Sequence, residues 1–298
     1  MKNGVVILNK DGTMTSFSAV RRVARLFGAK KAGHTGTLDP MATGVLPILI
    51  GTAVKAAEYM QSEDKHYRAV LLLGITTDTE DITGSVLSRS DAIPPESEVL
   101  GAIGSMVGKY MQTPPMYSAL KVGGKKLCDI AREGKEIERE AREVTIFSID
   151  TSKLSEREYT LDVHCSKGTY IRTLCKDIGE KLGCGAVMSA LIRTEASGFT
   201  LENARTLDEL EKMSEEELSG LIYPTEYIFR ELDTVKLPAF FARLARNGLE
   251  IYLNKIGITA NEGQRFKLCD EGGFFALGEV KKFDTGLAIK PIKQFISD

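Results

Sequence analysis

The sequence predicts an α+β protein built on a mixed, mostly antiparallel sheet, followed by a smaller β-rich unit. Three observations carry this expectation. Strand-like runs alternate with single helical segments, without a repeating βαβ period. Tyr67, Ala69, Leu71 and Leu73 are apolar at every second position, the period of a strand with one buried face. Composition changes after about Arg230, where glycines become closely spaced and short strand-like runs such as Phe274 to Leu277 and Leu287 to Ile289 appear. The expected division is therefore 1–230 and 231–298.

Taken in order, Gly4 to Asn9 reads as a short buried strand. Thr15 or Ser16 then offers an N-cap to a helix with Phe17, Val20, Val23, Ala24 and Phe27 on its apolar face and Gly28 at its C-terminal stop. Ser18, Arg21, Arg22 and Arg25 fall on the opposite face, either as a solvated stripe or as a phosphate-facing one. Gly33 to Thr43 is dense in Gly, Thr and Pro and reads as a loop. Strand-like residues follow from Val45 to Ile50, and Asp78 to Gly84 is turn-like. Pro94 and Pro95 open a helical segment that ends near Met106. Met116 to Arg142 carries Lys121, Lys125, Lys126, Arg132, Lys135, Arg139 and Arg142 with three glycines, and reads as a mobile, partly helical insertion spanning about 108–143. Val144 to Asp150, Tyr159 to Ser166 and Ser189 to Thr194 resemble strands. A turn at Lys167-Gly168 leads into a helix holding Tyr170, Leu174, Ile178 and Leu182.

The bulk numbers exclude several classes. An apolar fraction of 43% and a charged fraction of 27% are those of a globular protein with an ordinary core. The net charge of −2 argues against a uniformly basic nucleic-acid binder. Its distribution is uneven, however: Lys10, Arg21, Arg22, Arg25, Lys30 and Lys31 crowd the N-terminal part, and an acidic block from Asp208 to Glu217 offsets them, so a local positive face remains open. Cys128, Cys165, Cys175, Cys184 and Cys269 are scattered and odd in number, which suits reduced thiols in the cytoplasm rather than disulfides or a zinc site. No apolar run has the length of a secretion signal or a membrane span. P-loop, dinucleotide-binding, zincin and nucleophile-elbow motifs are absent, and His34, His66 and His164 lack the spacing of a local metal cluster.

Asp39 is the best-placed carboxylate for chemistry, because a rigid Leu38-Asp39-Pro40 turn can hold it toward a ligand. The loop alone favours the plainer reading of an Asx-turn residue or N-cap. His34 lies on the same loop. Tyr67, Tyr170 and Arg172 taken singly read as core aromatics and a surface ion-pairing residue.

The combination is more specific. The run G-H-T-G-T-L-D-P-M-A-T-G-V-L-P from Gly33 to Pro47 resembles the catalytic loop of the TruB family of tRNA pseudouridine-55 synthases. Lys65 to Gly74, Thr77 to Gly84, Gln112 to Lys121 (Q-T-P-P-M-Y-S-A-L-K), Cys165 to Leu174 (C-S-K-G-T-Y-I-R-T-L) and Ala190 to Thr194 (A-L-I-R-T) are similar to that family's further motifs, in the same order. One departure is Lys10-Asp11 where the family has Lys-Pro, so the turn there loses a fixed φ.

The resemblance implies a pseudouridine synthase fold with an inserted RNA clasp and a small C-terminal PUA-like RNA-binding domain. It implies isomerisation of uridine in the T loop of tRNA, with no cofactor and no metal. Asp39 would be catalytic. Tyr67, Tyr170, Arg172, Leu191 and His34 would bind the flipped nucleotide. Arg21, Arg22, Arg25, Lys125 and Lys126 would hold the RNA backbone. A basic insertion is similar to that of the self-sufficient bacterial form, which implies a monomer without an obligatory protein partner. Two other readings stay open on sequence: an RNA-binding or folding module without catalysis, and an enzyme acting on a small nucleoside.

Overall fold

The computed structural model describes residues 2–61 and 64–296; the last two residues of the expected C-terminal unit lie outside that part. Its larger sheet runs in the order Gly4–Lys10, Thr43–Ile50, Ala186–Ala196, Lys65–Leu73, Glu158–Cys165, Arg142–Lys153 and Gly108–Gln112. All neighbours on this path are antiparallel except Ala186–Ala196 beside Thr43–Ile50, which are parallel. The parallel pair needs close backbone approach. A Cβ on Gly44 would stand 2.2 Å from the Arg193 carbonyl oxygen, and Gly44 has φ +104°, so only glycine fits there.

One face of this sheet packs on the helices Ser16–Leu26, Glu96–Gly104 and Ile171–Leu182. Val20, Val23, Leu46, Ile48, Leu71, Ile103, Leu174 and Ile178 meet there in one apolar core. The period-two pattern from Tyr67 to Leu73 is buried on this face as expected, while Arg68 on the other face is exposed and paired with Asp162. Thr15 caps the first helix by accepting from the Ser18 amide, and Gly28 follows its end at φ +62°. Phe17 departs from the expected apolar face. It is 68% exposed, with the Arg21 guanidinium 6.0 Å from its ring, because the face that the helix buries is that of Ser16, Ala19, Val20 and Val23.

The expected loop from Gly33 to Thr43 is shorter than its composition suggests. Ala32–His34 pairs with Thr43–Ile50, so only the stretch between those strands is irregular. The insertion is likewise narrower at its root than 108–143: Gly108–Gln112 and Arg142 onward form a paired edge of the sheet, and the excursion occupies 113–141. Within it Lys121–Val122 and Lys125–Lys126 form a hairpin closed by Gly123 and Gly124, both at positive φ as a tight two-residue turn requires. Leu127 and Ile130 of the short helix Leu127–Arg132 are buried.

After residue 230 a separate five-stranded sheet forms in the order Thr234–Lys236, Arg265–Asp270, Gly273–Phe283, Gly286–Gln294 and Ile251–Tyr252. It has its own core of Val235, Ala245, Phe266, Leu268, Val280 and Ile289. Phe229, Leu277 and Phe295 join it to Ala56 of the larger unit.

Candidate active site

The irregular stretch after His34 is fastened before it reaches Asp39. Ser16 Oγ donates to the Leu38 carbonyl at 2.9 Å and accepts from the Leu38 amide at 2.8 Å, so the buried N-terminus of the first helix grips the residue before Asp39. On the other side, the Lys10 ammonium donates to the carbonyls of Asp11, Met14 and Pro40 at 2.6, 2.8 and 3.0 Å. Lys10 is only 1% exposed, and burial lowers its pKa to about 8. Asp11, where the resembled motif has proline, accepts from both the amide and the hydroxyl of Thr13. This Asx turn supplies by hydrogen bonding the stiffness that a proline ring would supply covalently.

Asp39 meets Arg172 in a two-pronged ion pair. Nε stands 2.8 Å from Oδ2, and Nη2 donates to Oδ1 at 3.0 Å. Arg172 is not the surface residue that its position suggests when read singly. It is 4% exposed and spends its other donors on the Thr79 carbonyl at 3.0 Å and the Tyr117 carbonyl at 2.9 Å. Burial pushes the Asp39 carboxyl above the ordinary carboxylate value, Arg172 opposes this, and Asp81 adds to it.

Two aromatic residues lie close to this pair, and two further residues lie on neighbouring strands. Tyr67 is 9% exposed on the Lys65–Leu73 strand and faces the Asp39 side; burial raises its phenol pKa, and Arg193 beside it opposes the rise. Tyr170 is the N-cap residue of the helix that carries Arg172, within electrostatic reach of Arg172 and Asp39, and burial raises its pKa as well. Leu191 is buried opposite Ala69, two positions from Tyr67. His34 ends the short strand before the loop, and burial, with Arg193 nearby, lowers its pKa, which favours neutral imidazole. The structure thus brings Tyr67 and Tyr170 within electrostatic reach of Asp39, sets His34 beside Arg193, and places Leu191 on the strand paired with that of Tyr67.

The outer basic residues divide. Arg22 is bonded to Glu211 of the acidic block, so it does not present a free charge. The acidic block that balances the total also folds against the basic helix. Arg21 and Arg25 remain on the helix surface, Lys126 is exposed, and Lys125 stands 3.8 Å from Glu133, a loose pair.

Sequence reasoning missed two members of this constellation. Asp81 is 5% exposed and has Oδ2 3.8 Å from Arg172 Nη1, while its Oδ1 accepts from Thr79 Oγ1, the Thr83 amide and Thr83 Oγ1. The density of Asp and Thr between Thr77 and Gly84 was the available signal, but it also fits a plain turn. Arg193 is 1% exposed and donates to the carbonyls of Val45 at 2.7 Å and Gly36 at 3.2 Å, so it ties both flanks of the Asp39 loop to the sheet. Among the described residues no cluster of His, Cys, Asp and Glu is arranged to hold a metal ion.

A carboxylate held by a buried arginine beside aromatic side chains is an arrangement that can serve nucleophilic or acid–base chemistry. Family models narrow this. The model for the TruB family pseudouridylate synthase N-terminal domain matches residues 24–171, and the tRNA pseudouridylate synthase B C-terminal domain matches 172–230. The chain is 44% identical to tRNA pseudouridine synthase B of Alkaliphilus oremlandii, covering 95% of this chain and 94% of the relative. It is 41% identical to the protein of that name from Clostridium tetani, over 94% and 96% of the two chains. The chain belongs to the TruB family of pseudouridylate synthases. Its fold is shared with the solved structure of a Cbf5–Nop10–Gar1 complex, with a TM-score of 0.72 at 24% identity, over 98% of this chain and 85% of that one.

Proposed function

We infer that this chain is a tRNA pseudouridine synthase that isomerises uridine 55 of the T loop, with Asp39 as the catalytic residue. The observation that carries this is the Asp39–Arg172 pair, held on a fastened loop in a chain of the TruB family. The reaction breaks the bond from the sugar C1′ to uracil N1 and forms one from C1′ to C5. N1 gains a proton and C5 loses one, so nothing is oxidised and no energy carrier is consumed. The ionised Asp39 serves as nucleophile or base.

A base in the T loop must leave its stack to reach a buried carboxylate, at a cost of a few kcal/mol. In this reading Tyr67 replaces the lost stacking, Tyr170 and Leu191 wall the pocket, and His34 supports the space that the base vacates. Tyr67→Phe keeps the ring and should keep most tRNA affinity; Tyr67→Leu should lose about 1–3 kcal/mol. Equal losses for the two variants would point to the hydroxyl and remove the stacking role.

Residues 113–141 act as the RNA clasp, with Arg21 and Arg25 adding backbone contacts and residues 231–298 forming a PUA-like RNA-binding domain. The enzyme works as a cytoplasmic monomer. Alanine at both Lys125 and Lys126 should weaken tRNA binding and flatten the slope of log K against log salt by about 0.7–0.9 per lost phosphate contact. An unchanged slope would mean that these lysines only solvate the hairpin. The reading as a whole is tested by incubating the protein with unmodified tRNA and mapping pseudouridine by position. Complex formation without modified uridine would leave a binding module instead.

A further inference from the structure

Gln112 is the last residue of the Gly108–Gln112 strand, where the chain leaves the sheet for the insertion, and it is 2% exposed. Its carboxamide does not point into the insertion. It closes a two-point contact with one residue of another element: Oε1 accepts from the Tyr170 amide at 2.8 Å, and Nε2 donates to the Tyr170 carbonyl at 3.1 Å. The same Nε2 reaches the Tyr110 hydroxyl. That hydroxyl bonds in turn to Asp177 on the helix Ile171–Leu182, a half-buried carboxyl raised by burial to about 6.

Tyr170 needs this contact. It is the N-cap residue of that helix, with extended backbone angles, and no side chain of its own caps the helix. One residue further into the helix than Ile171, Arg172 makes the bidentate contact with Asp39. The angle at which the chain enters the helix therefore aims both the Tyr170 ring and the Arg172 guanidinium. Arg172 also donates to the carbonyl of Tyr117 in the insertion. The root of the insertion and the Asp39 partner are thus joined by two short paths, and Gln112 makes one of them.

We propose that Gln112 is a positioning residue for the pseudouridine synthase reaction: it fixes the helix entry at Tyr170 and so couples the placement of the inserted segment to the Asp39–Arg172 geometry. This deepens the functional reading above and rests on it.

Gln112→Met keeps the length of the side chain and removes both contacts with Tyr170. The single-turnover rate on tRNA should fall about 10- to 100-fold, the cost of a small misplacement of reacting groups. The tRNA Kd should change by less than about threefold, because Gln112 is 2% exposed and the variant leaves every exposed basic side chain in place. Gln112→Glu adds a readout that a packing role would not move. Its carboxylate can accept from the Tyr170 amide but opposes the Tyr170 carbonyl, whereas the neutral acid can donate to it. Burial beside Tyr110 and Asp177 raises the pKa of such a group, and the register partner Arg142 opposes the rise. The rate of this variant relative to wild type should therefore climb as pH falls from about 8 to about 6. Amide exchange over 168–176 should quicken in Gln112→Met.

A folded Gln112→Met variant with a rate within about threefold of wild type overturns the proposal. So does a rate loss matched by an equal loss of affinity, a Gln112→Glu ratio that stays flat with pH, or failure of both variants to fold, which would make Gln112 a plain structural residue. A wild-type protein silent on tRNA would overturn the functional reading alone, and the exchange measurement would still report whether Gln112 holds the helix entry.

Discussion

Asp39→Asn is expected to lower turnover by on the order of 10⁴-fold or more, the scale seen when a single essential nucleophile or base is removed. Asparagine keeps the size and turn-forming ability of aspartate, and the loop is held independently by Ser16 and Lys10. Melting should stay close to wild type, and tRNA should still bind. Because burial raises the Asp39 pKa, the folded state holds that proton more tightly than the unfolded chain does. Its ionisation costs stability as pH rises above the unfolded value, and Asn removes that cost while leaving Arg172 with Asp81 and two carbonyls. The same shift sets the pH profile. In the proposed mechanism the active form is the carboxylate, so activity should fall on acidification, with a midpoint above the ordinary aspartate value. Turnover of Asp39→Asn within tenfold of wild type, measured by pseudouridine formation on tRNA, would end the catalytic assignment.

Loss of Arg172 should be nearly as severe and should differ in kind. Arg172→Met leaves the Asp39 and Asp81 carboxylates facing each other without their cation and strips the Thr79 and Tyr117 carbonyls of a donor. Breaking a buried pair from one side costs about 3–5 kcal/mol, so this variant should melt at a clearly lower temperature. Arg172→Lys retains charge without the planar fork that matches a carboxylate. It should remain folded and lose about 100-fold in rate. Arg172 holds the Asp39 pKa down against burial, so the acid limb of whatever activity Arg172→Met retains should move to higher pH. A folded variant with an unmoved acid limb would show that this arginine does not control the ionisation of Asp39.

Much of the local structure is legible in the residues themselves. The alternation from Tyr67 to Leu73, the Thr15 cap, the glycine after the first helix and the turn at Gly168 each follow from short-range sterics and hydrogen bonding, which depend only on neighbours in the chain. The loop around Asp39 could be singled out in the same way from its Gly, Thr and Pro, although both ends of the stretch from Gly33 to Thr43 lie in strands. Its chemistry could not. Asp39 alone fits a turn residue, and only the run of motifs shared with a family raised it above that.

Tertiary structure decided which charges act and which are spent. Arg172 lies 133 residues from Asp39 along the chain, and Arg22 lies 189 residues from Glu211. Read singly, Arg172 suited a surface pair and Arg22 a phosphate contact. The fold buries the first against the candidate catalytic carboxylate and neutralises the second with the acidic block. Phe17 shows the same limit in an apolar residue, since helical spacing put it on the buried face while the fold buries Ser16 and Ala19 beside Val20 and Val23 instead. Periodicity along a chain reports which side of an element can be buried. What covers that side, and which distant ion meets it there, depends on strand order and helix placement, which no local pattern encodes.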